Sequence, residues 1–258
     1  MTSVDSGTSA PVDAAETLQL SWVEHLVELR RRILICLAAM AVTTAIAWLG
    51  YDHVVAFMAG PYRDYLRHHP HQNIADGNLV TTAPLEGFTT RLKVSGYLGV
   101  ALAAPVWIWQ AWRFVAPGLY RNERRYASAF VLSAVTLFAA GAATAVVIFP
   151  KAISWMISVS GTGVAPLFSP SRYFGLYALA CVIFGAVFTY PVFLVAAQLA
   201  GMVTSAQLRR WRRVAIVVCF AVAAVVTPSS DPFSFVAMAV PMLVFYEASI
   251  VTGRLLHR

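Results

Sequence analysis

The chain has 258 residues, of which 59% are hydrophobic and 12% charged, with a formal net charge of +7. Soluble domains carry about 25% charged residues, so a water-soluble globule is excluded; this much apolar surface needs lipid to cover it. The positive charge comes with no zinc finger, RNA-binding signature or other nucleic-acid motif, and no nucleic-acid partner is expected.

Residues 1–20 are rich in Ser, Thr and Ala with scattered acids, and they lack the pattern of a cleaved secretory signal. They are expected to form a disordered tail. Ser21-Trp22-Val23-Glu24 is a capping box that predicts a helix start at Ser21. Trp22, Leu26, Leu29 and Ile33 then share one face and lead along the membrane interface into the first span. Uncharged runs of about 18 residues or more predict membrane-crossing helices. They place spans at about 33–51, 94–112, 127–150 and 173–199. Gly60-Pro61 falls in the first outer loop. Ala152–Ser171, broken by Gly161, Gly163, Pro166 and Pro170, reads as an external loop that opens with a surface helix.

The C-terminal end is subtler. Val214–Val226 is apolar but short, and Thr227-Pro228-Ser229-Ser230-Asp231-Pro232 forces a turn before Phe233–Thr252. Two short spans at 214–227 and 234–252, paired as a hairpin, are preferred to a re-entrant loop. The expected fold is all-α: one six-span membrane domain over residues 21–258, with the last two spans short.

Lys and Arg set the orientation. Six spans put Arg30, Arg31, Arg32, Arg113, Arg121, Arg124, Arg125, Arg209, Arg210, Arg212, Arg213, Arg254 and Arg258 on the side of both termini. The other side holds only Arg63, Arg67, Arg91, Lys93, Lys151 and Arg172. Both termini are therefore expected in the cytoplasm. Cys36, Cys181 and Cys219 lie in apolar runs without a CxxC or a His cluster, and they read as small hydrophobes. No metal or cofactor is expected.

Three acids stand out. Glu28 lies one turn before Arg31 and Arg32, where an intrahelical ion pair is the plain reading. Glu123 lies in the inner loop Pro117–Arg125, near the start of the third span, where the helix dipole favours a carboxylate. Glu24, Glu28 and Glu123 are also the only acids near the cytoplasmic membrane face, so a basic ligand there has few other carboxylates to meet. Glu247 sits inside the last span, where a carboxylate is costly unless neutral or paired. It reads either as a neutral packing or partner contact or as a functional polar group.

The order of motifs resembles one family. His25-Leu26-Val27-Glu28-Leu29-Arg30-Arg31-Arg32 is similar to the HLxELRxR signature before the first span of TatC proteins. Gly60-Pro61 is similar to that family's outer-loop Pro position. Phe114-Val115-Ala116-Pro117-Gly118-Leu119-Tyr120 with Glu123-Arg124-Arg125 resembles its FxxPxLYxxERR inner loop. Thr227-Pro228 with Asp231 resembles its TPxD turn, and Pro241-Met242 with Tyr246-Glu247 its PMxxLFE stretch. There are two departures: Thr189 stands where many members have Glu, and Phe235 where the last span often begins with Gln.

The resemblance implies a receptor subunit of the twin-arginine translocase in the bacterial cytoplasmic membrane, without enzymatic activity. It implies binding of twin-arginine signal peptides through Glu28 and Glu123, with Arg30, Phe114 and Tyr120 supporting that edge. His25, Pro61, Pro117, Thr189, Pro228, Asp231, Phe235 and Glu247 then serve structure or partner contact. The implied partners are single-span TatA- and TatB-like proteins, in an oligomeric complex that exports folded cargo on the proton-motive force. The absence of a P-loop agrees with this. A small secondary transporter is the alternative, but it would be expected to show internal repeats and a midplane cluster of charged or ion-binding residues. No repeat is visible, and Glu247 is the one deep charge.

Overall fold

The computed structural model describes residues 12–68, 79, 81, 83–115, 127–160, 168–227 and 231–256, and every element among them is a helix. Helix α1 (Val12–Leu49) is 38 residues long. It begins inside the segment expected to be a disordered tail and runs through Ser21 without starting there. Ala14, Ala15, Glu16, Leu18, Gln19 and Leu20 are strong helix formers, and together they outweigh the local cap.

Helix α2 (Tyr51–His68) takes the place of the expected outer loop and contains Pro61. Its buried face, Met58, Ala59 and Tyr62, is the reason. The Tyr173 hydroxyl donates to the Met58 carbonyl at 3.2 Å. The Tyr62 ring packs on Phe168 and Tyr173 at centroid distances of 5.9 and 5.7 Å. This tertiary packing overrides the breaker pair Gly60-Pro61.

The second span is two helices, α3 (Glu86–Leu102) and α4 (Ala104–Val115), bent by 50° at Ala103. Pro105 has no N–H to offer the Ala101 carbonyl, which opens the helix there. The fourth span is interrupted at Thr189, between α6 (Pro170–Phe188) and α7 (Tyr190–Leu199) with Pro191 as its second residue, but it continues as one span. Between them α5 (Ala127–Val159) runs for 33 residues through Pro150 and absorbs the start of the expected external loop.

A short helix, α8 (Ser205–Arg210), is closed by a capping box of Thr204 and Gln207. It leads into α9 (Arg212–Val226), whose 15 residues rise about 22 Å and stay short of a hydrocarbon core of roughly 30 Å. Helix α10 (Pro232–Leu256) has 25 residues and outruns the expected 234–252 at both ends, so the last pair is unequal. Asp231 caps it: Oδ1 accepts the Ser234 N–H at 2.7 Å. Among the described residues, α1, α5, the α6–α7 run and α10 are long and apolar enough to cross a bilayer, and the bent α3–α4 pair counts as a fifth span. With the shorter α9, the chain makes six passes.

Small residues set the closest helix contacts, as expected where lipid removes the hydrophobic drive for helix pairing. The Thr43 hydroxyl of α1 donates to the Gly99 carbonyl of α3 at 2.7 Å. A Cβ at Gly141 of α5 would lie 2.4 Å from the Phe184 carbonyl oxygen of α6. Aromatic rings fill the space beyond, with Phe149 stacked on Tyr177 at 4.2 Å.

Candidate functional site

Glu28 and Arg32 stand one turn apart on α1, and the Arg32 Nη2 donates to the Glu28 carboxylate. The ion pair read from the sequence therefore forms, with Arg32 as the partner. Arg32 also reaches across to the second span, where Nη1 donates to the Gln110 carbonyl of α4 at 3.4 Å. The two side chains differ in depth: Arg32 is 12% exposed and Glu28 42%. The carboxylate thus stands on the rim of the α1–α4 seam, with the guanidinium beneath it.

Gln110 lies one turn before Phe114, close to the end of α4. Trp112 of α4 stacks on Phe130 of α5, with centroids 4.6 Å apart and an interplanar angle of 13°. That stack fastens the end of α4 to the start of α5, and residues 116–126 connect the two. Pro117, Tyr120 and Glu123 belong to this connection and lie outside the described residues, as does Pro228. The structure thus brings Glu28 to the stem of the segment that carries Glu123. Phe114 is half-buried on that stem, Arg30 is exposed on α1, and His25 lies on α1 three residues before Glu28.

Glu247 has a partner on the neighbouring helix. Arg212, at the start of α9, donates to it at 2.5 Å, and both side chains are 48% exposed. The costly acid of the last span is thus paired, in an ion pair across the α9–α10 hairpin. The sequence hides the pair because the partners are 35 positions apart. Thr189 is buried, and its hydroxyl donates to the Ala186 carbonyl at 2.6 Å, which closes the broken end of α6. Phe235 is half-buried and packs on Phe220 of α9 at 5.7 Å. Pro61 is half-buried within α2.

Gln198 and Glu86 are among the buried polar groups that the sequence does not single out. Gln198 is 1% exposed, donates to the Ser249 carbonyl at 3.0 Å and accepts from the Ser205 hydroxyl at 2.8 Å, tying α7, α8 and α10 together. Glu86 opens α3 and is 6% exposed, and Ser169 donates to its carboxylate. An uncharged amide raises no alarm in an apolar run. Glu86 stood outside the counted span because the uncharged run begins only after Lys93.

Residues 24–241 match the family described as Sec-independent protein translocase protein (TatC). The Sec-independent protein translocase protein TatC of Frankia casuarinae is 36% identical over 247 residues, covering 94% of this chain and 68% of that protein. The TatC protein of Koribacter versatilis is 32% identical over 255 residues, covering 98% of this chain and 92% of that one. A crystal structure of the twin arginine translocase receptor TatC in DDM superposes with a TM-score of 0.74 at 32% identity, covering 89% of this chain and 99% of that one. The chain belongs to the TatC family and is a multi-pass membrane protein, a core subunit of a Sec-independent, twin-arginine translocase.

Proposed function

We propose that the rim formed by Glu28 and the α4–α5 connection bearing Glu123 receives the paired arginines of a signal peptide on the cytoplasmic face of the bacterial membrane. The observation that carries this reading is the seam itself: Arg32 joins Glu28 of α1 to Gln110 of α4, at the stem of the Glu123 segment. Guanidinium meets carboxylate in a two-point geometry that ammonium does not reproduce. Each such contact contributes roughly 1.5–3 kcal/mol. Two fall short of the about 8 kcal/mol of micromolar binding, so the apolar part of the signal peptide supplies the rest along the spans. The subunit performs no chemistry of its own. It assembles with TatA- and TatB-like single-span proteins, both termini inside, and the complex exports folded cargo on the proton-motive force.

The test is binding of synthetic signal peptides to the purified protein. Glu28→Ala or Glu123→Ala weakens an Arg-Arg peptide by about tenfold or more, and a Lys-Lys peptide less. Equal loss for both peptides overturns the reading.

A further inference from the structure

We propose that the groove between α1 and α3 holds one acyl chain of an anionic phospholipid, whose phosphate sits on Lys93 at the groove's mouth. The groove lies toward the Leu49 end of α1, away from the receptor rim, and the inference does not rest on that reading.

The groove has a volume of about 820 Å³, and Lys93 is the one charged residue in its lining among the described residues. On α1 it runs from Leu37 to Trp48, which is about 16 Å at 1.5 Å per residue. That is close to half of a hydrocarbon core of roughly 30 Å, the depth of a single leaflet. A membrane-crossing helix needs twice that length, so the dimension suits a lipid chain. Leu37 and Leu92 of the lining are 54% and 51% exposed. The helices touch at Gly99, where a Cβ would lie 2.8 Å from the Thr44 Cα, and the groove opens beside that contact. Gly96 leaves its wall bare, since a Cβ there would meet nothing within 4 Å.

The mouth is cationic. Arg91, two residues before Lys93, donates through Nη2 to the Trp48 carbonyl at 2.9 Å and lies over the Trp48 ring at 5.0 Å, so Lys93 stands within about one turn of the level of Trp48. Trp48 and Tyr97 both line the groove, and such rings are enriched where hydrocarbon meets headgroups. The Lys93 Nζ donates to the Ser171 hydroxyl at 3.2 Å. The ion pairs among the described residues are Arg32–Glu28, Arg67–Asp64 and Arg212–Glu247, which leaves Lys93 without a carboxylate. Two acids open the neighbouring helices, Asp52 on α2 and Glu86 on α3. Glu86 is buried and already accepts from Ser169. Arg172, next to Ser171, adds an exposed cation. A lysine near a span end can simply reach for water. Here its ammonium keeps two of its three donors for a phosphate, above an apolar channel that fits the attached chain. Under the proposed orientation this is the outer leaflet.

The experiment reconstitutes the full-length protein in phosphatidylcholine vesicles that hold a small fraction of phosphatidylglycerol with a photoreactive diazirine on its acyl chain. Illumination and peptide mapping read the labelling of residues 37–48 and 92–100. Labelling around Val147, a lipid-facing residue of α5 that is 62% exposed, serves as the reference. Both groove stretches are labelled above that reference, and unlabelled phosphatidylglycerol displaces the label about fivefold more effectively than zwitterionic phosphatidylethanolamine with the same chains. Lys93→Gln lowers groove labelling about fivefold and removes the preference, while Lys93→Arg keeps both. Gly96→Leu fills the groove with the charge intact and lowers the labelling at least as far. Unchanged labelling in Lys93→Gln or Gly96→Leu, or equal displacement by the two lipids, overturns the proposal. So does capture of a protein in place of lipid by a photocrosslinking side chain at Ala45 in native membranes, since the occupant is then a neighbouring helix. If one of Lys93→Gln and Gly96→Leu fails to fold, the other decides on the same terms.

Discussion

Glu247 and Arg212 illustrate how one side chain changes meaning once its neighbour is known. An acid inside an apolar run reads as a costly group, either a neutral packing or partner contact or a functional polar group. Paired with Arg212 at 2.5 Å and half-exposed, it fastens α10 to the start of α9. Exposed pairs of this kind contribute at most about 1 kcal/mol. Glu247→Gln keeps an oxygen that accepts from Arg212, so export of a folded twin-arginine reporter continues in a strain whose only copy is this variant. Complete loss of export at normal protein level, with signal-peptide binding intact, would instead assign Glu247 a protonation step. Glu28 was legible in the sequence because its partner lies one turn away on the same helix. Glu247 was not, because helical periodicity says nothing about a partner on another element.

At the level of elements, charges bracket the spans and made most of them readable: Arg32 before the first, Arg113 after the second, Arg172 before the fourth. Helix α2 was missed because Gly60 and Pro61 are breakers in isolation, and only the packing of Met58, Ala59 and Tyr62 against α6 and its lead-in restores the helix. The breaks at Ala103 and Thr189 do carry a mark, Pro105 and Pro191 two residues on, but counting uncharged residues does not register it. Glycines divide along the same line. A Cβ at Gly141 would meet the Phe184 backbone at 2.4 Å, while one at Gly60 meets nothing within 4 Å. Gly141→Val therefore separates α5 from α6 and destabilises the protein by about 1–3 kcal/mol or more, seen as a lowered unfolding temperature in detergent. Gly60→Ala leaves stability unchanged or raises it by up to about 1 kcal/mol through helix propensity. Equal effects of the two substitutions would contradict the close α5–α6 contact.

For the whole molecule, six passes return both termini to one side, and the arginine count supports the proposal that this side is the cytoplasm. Single cysteines at Ala206 and Ser160, both exposed, test this with a membrane-impermeant reagent. The expected result is labelling at Ala206 from the cytoplasm only and at Ser160 from outside only. Cytoplasmic labelling at Ser230 would replace the α9–α10 crossing with a re-entrant pair. The length of α1 has a further consequence for how a ligand arrives. Measured back from Leu49 at 1.5 Å per residue, Glu28 lies about 32 Å along the helix. That is close to one hydrocarbon thickness. The carboxylate therefore sits at headgroup level and not out in bulk water. A basic, partly apolar peptide adsorbs to an anionic leaflet before it meets any protein. Under the proposed receptor reading, its search for Glu28 then takes place by diffusion within a surface, in two dimensions, with lipid phosphate screening the arginines of the rim along the way.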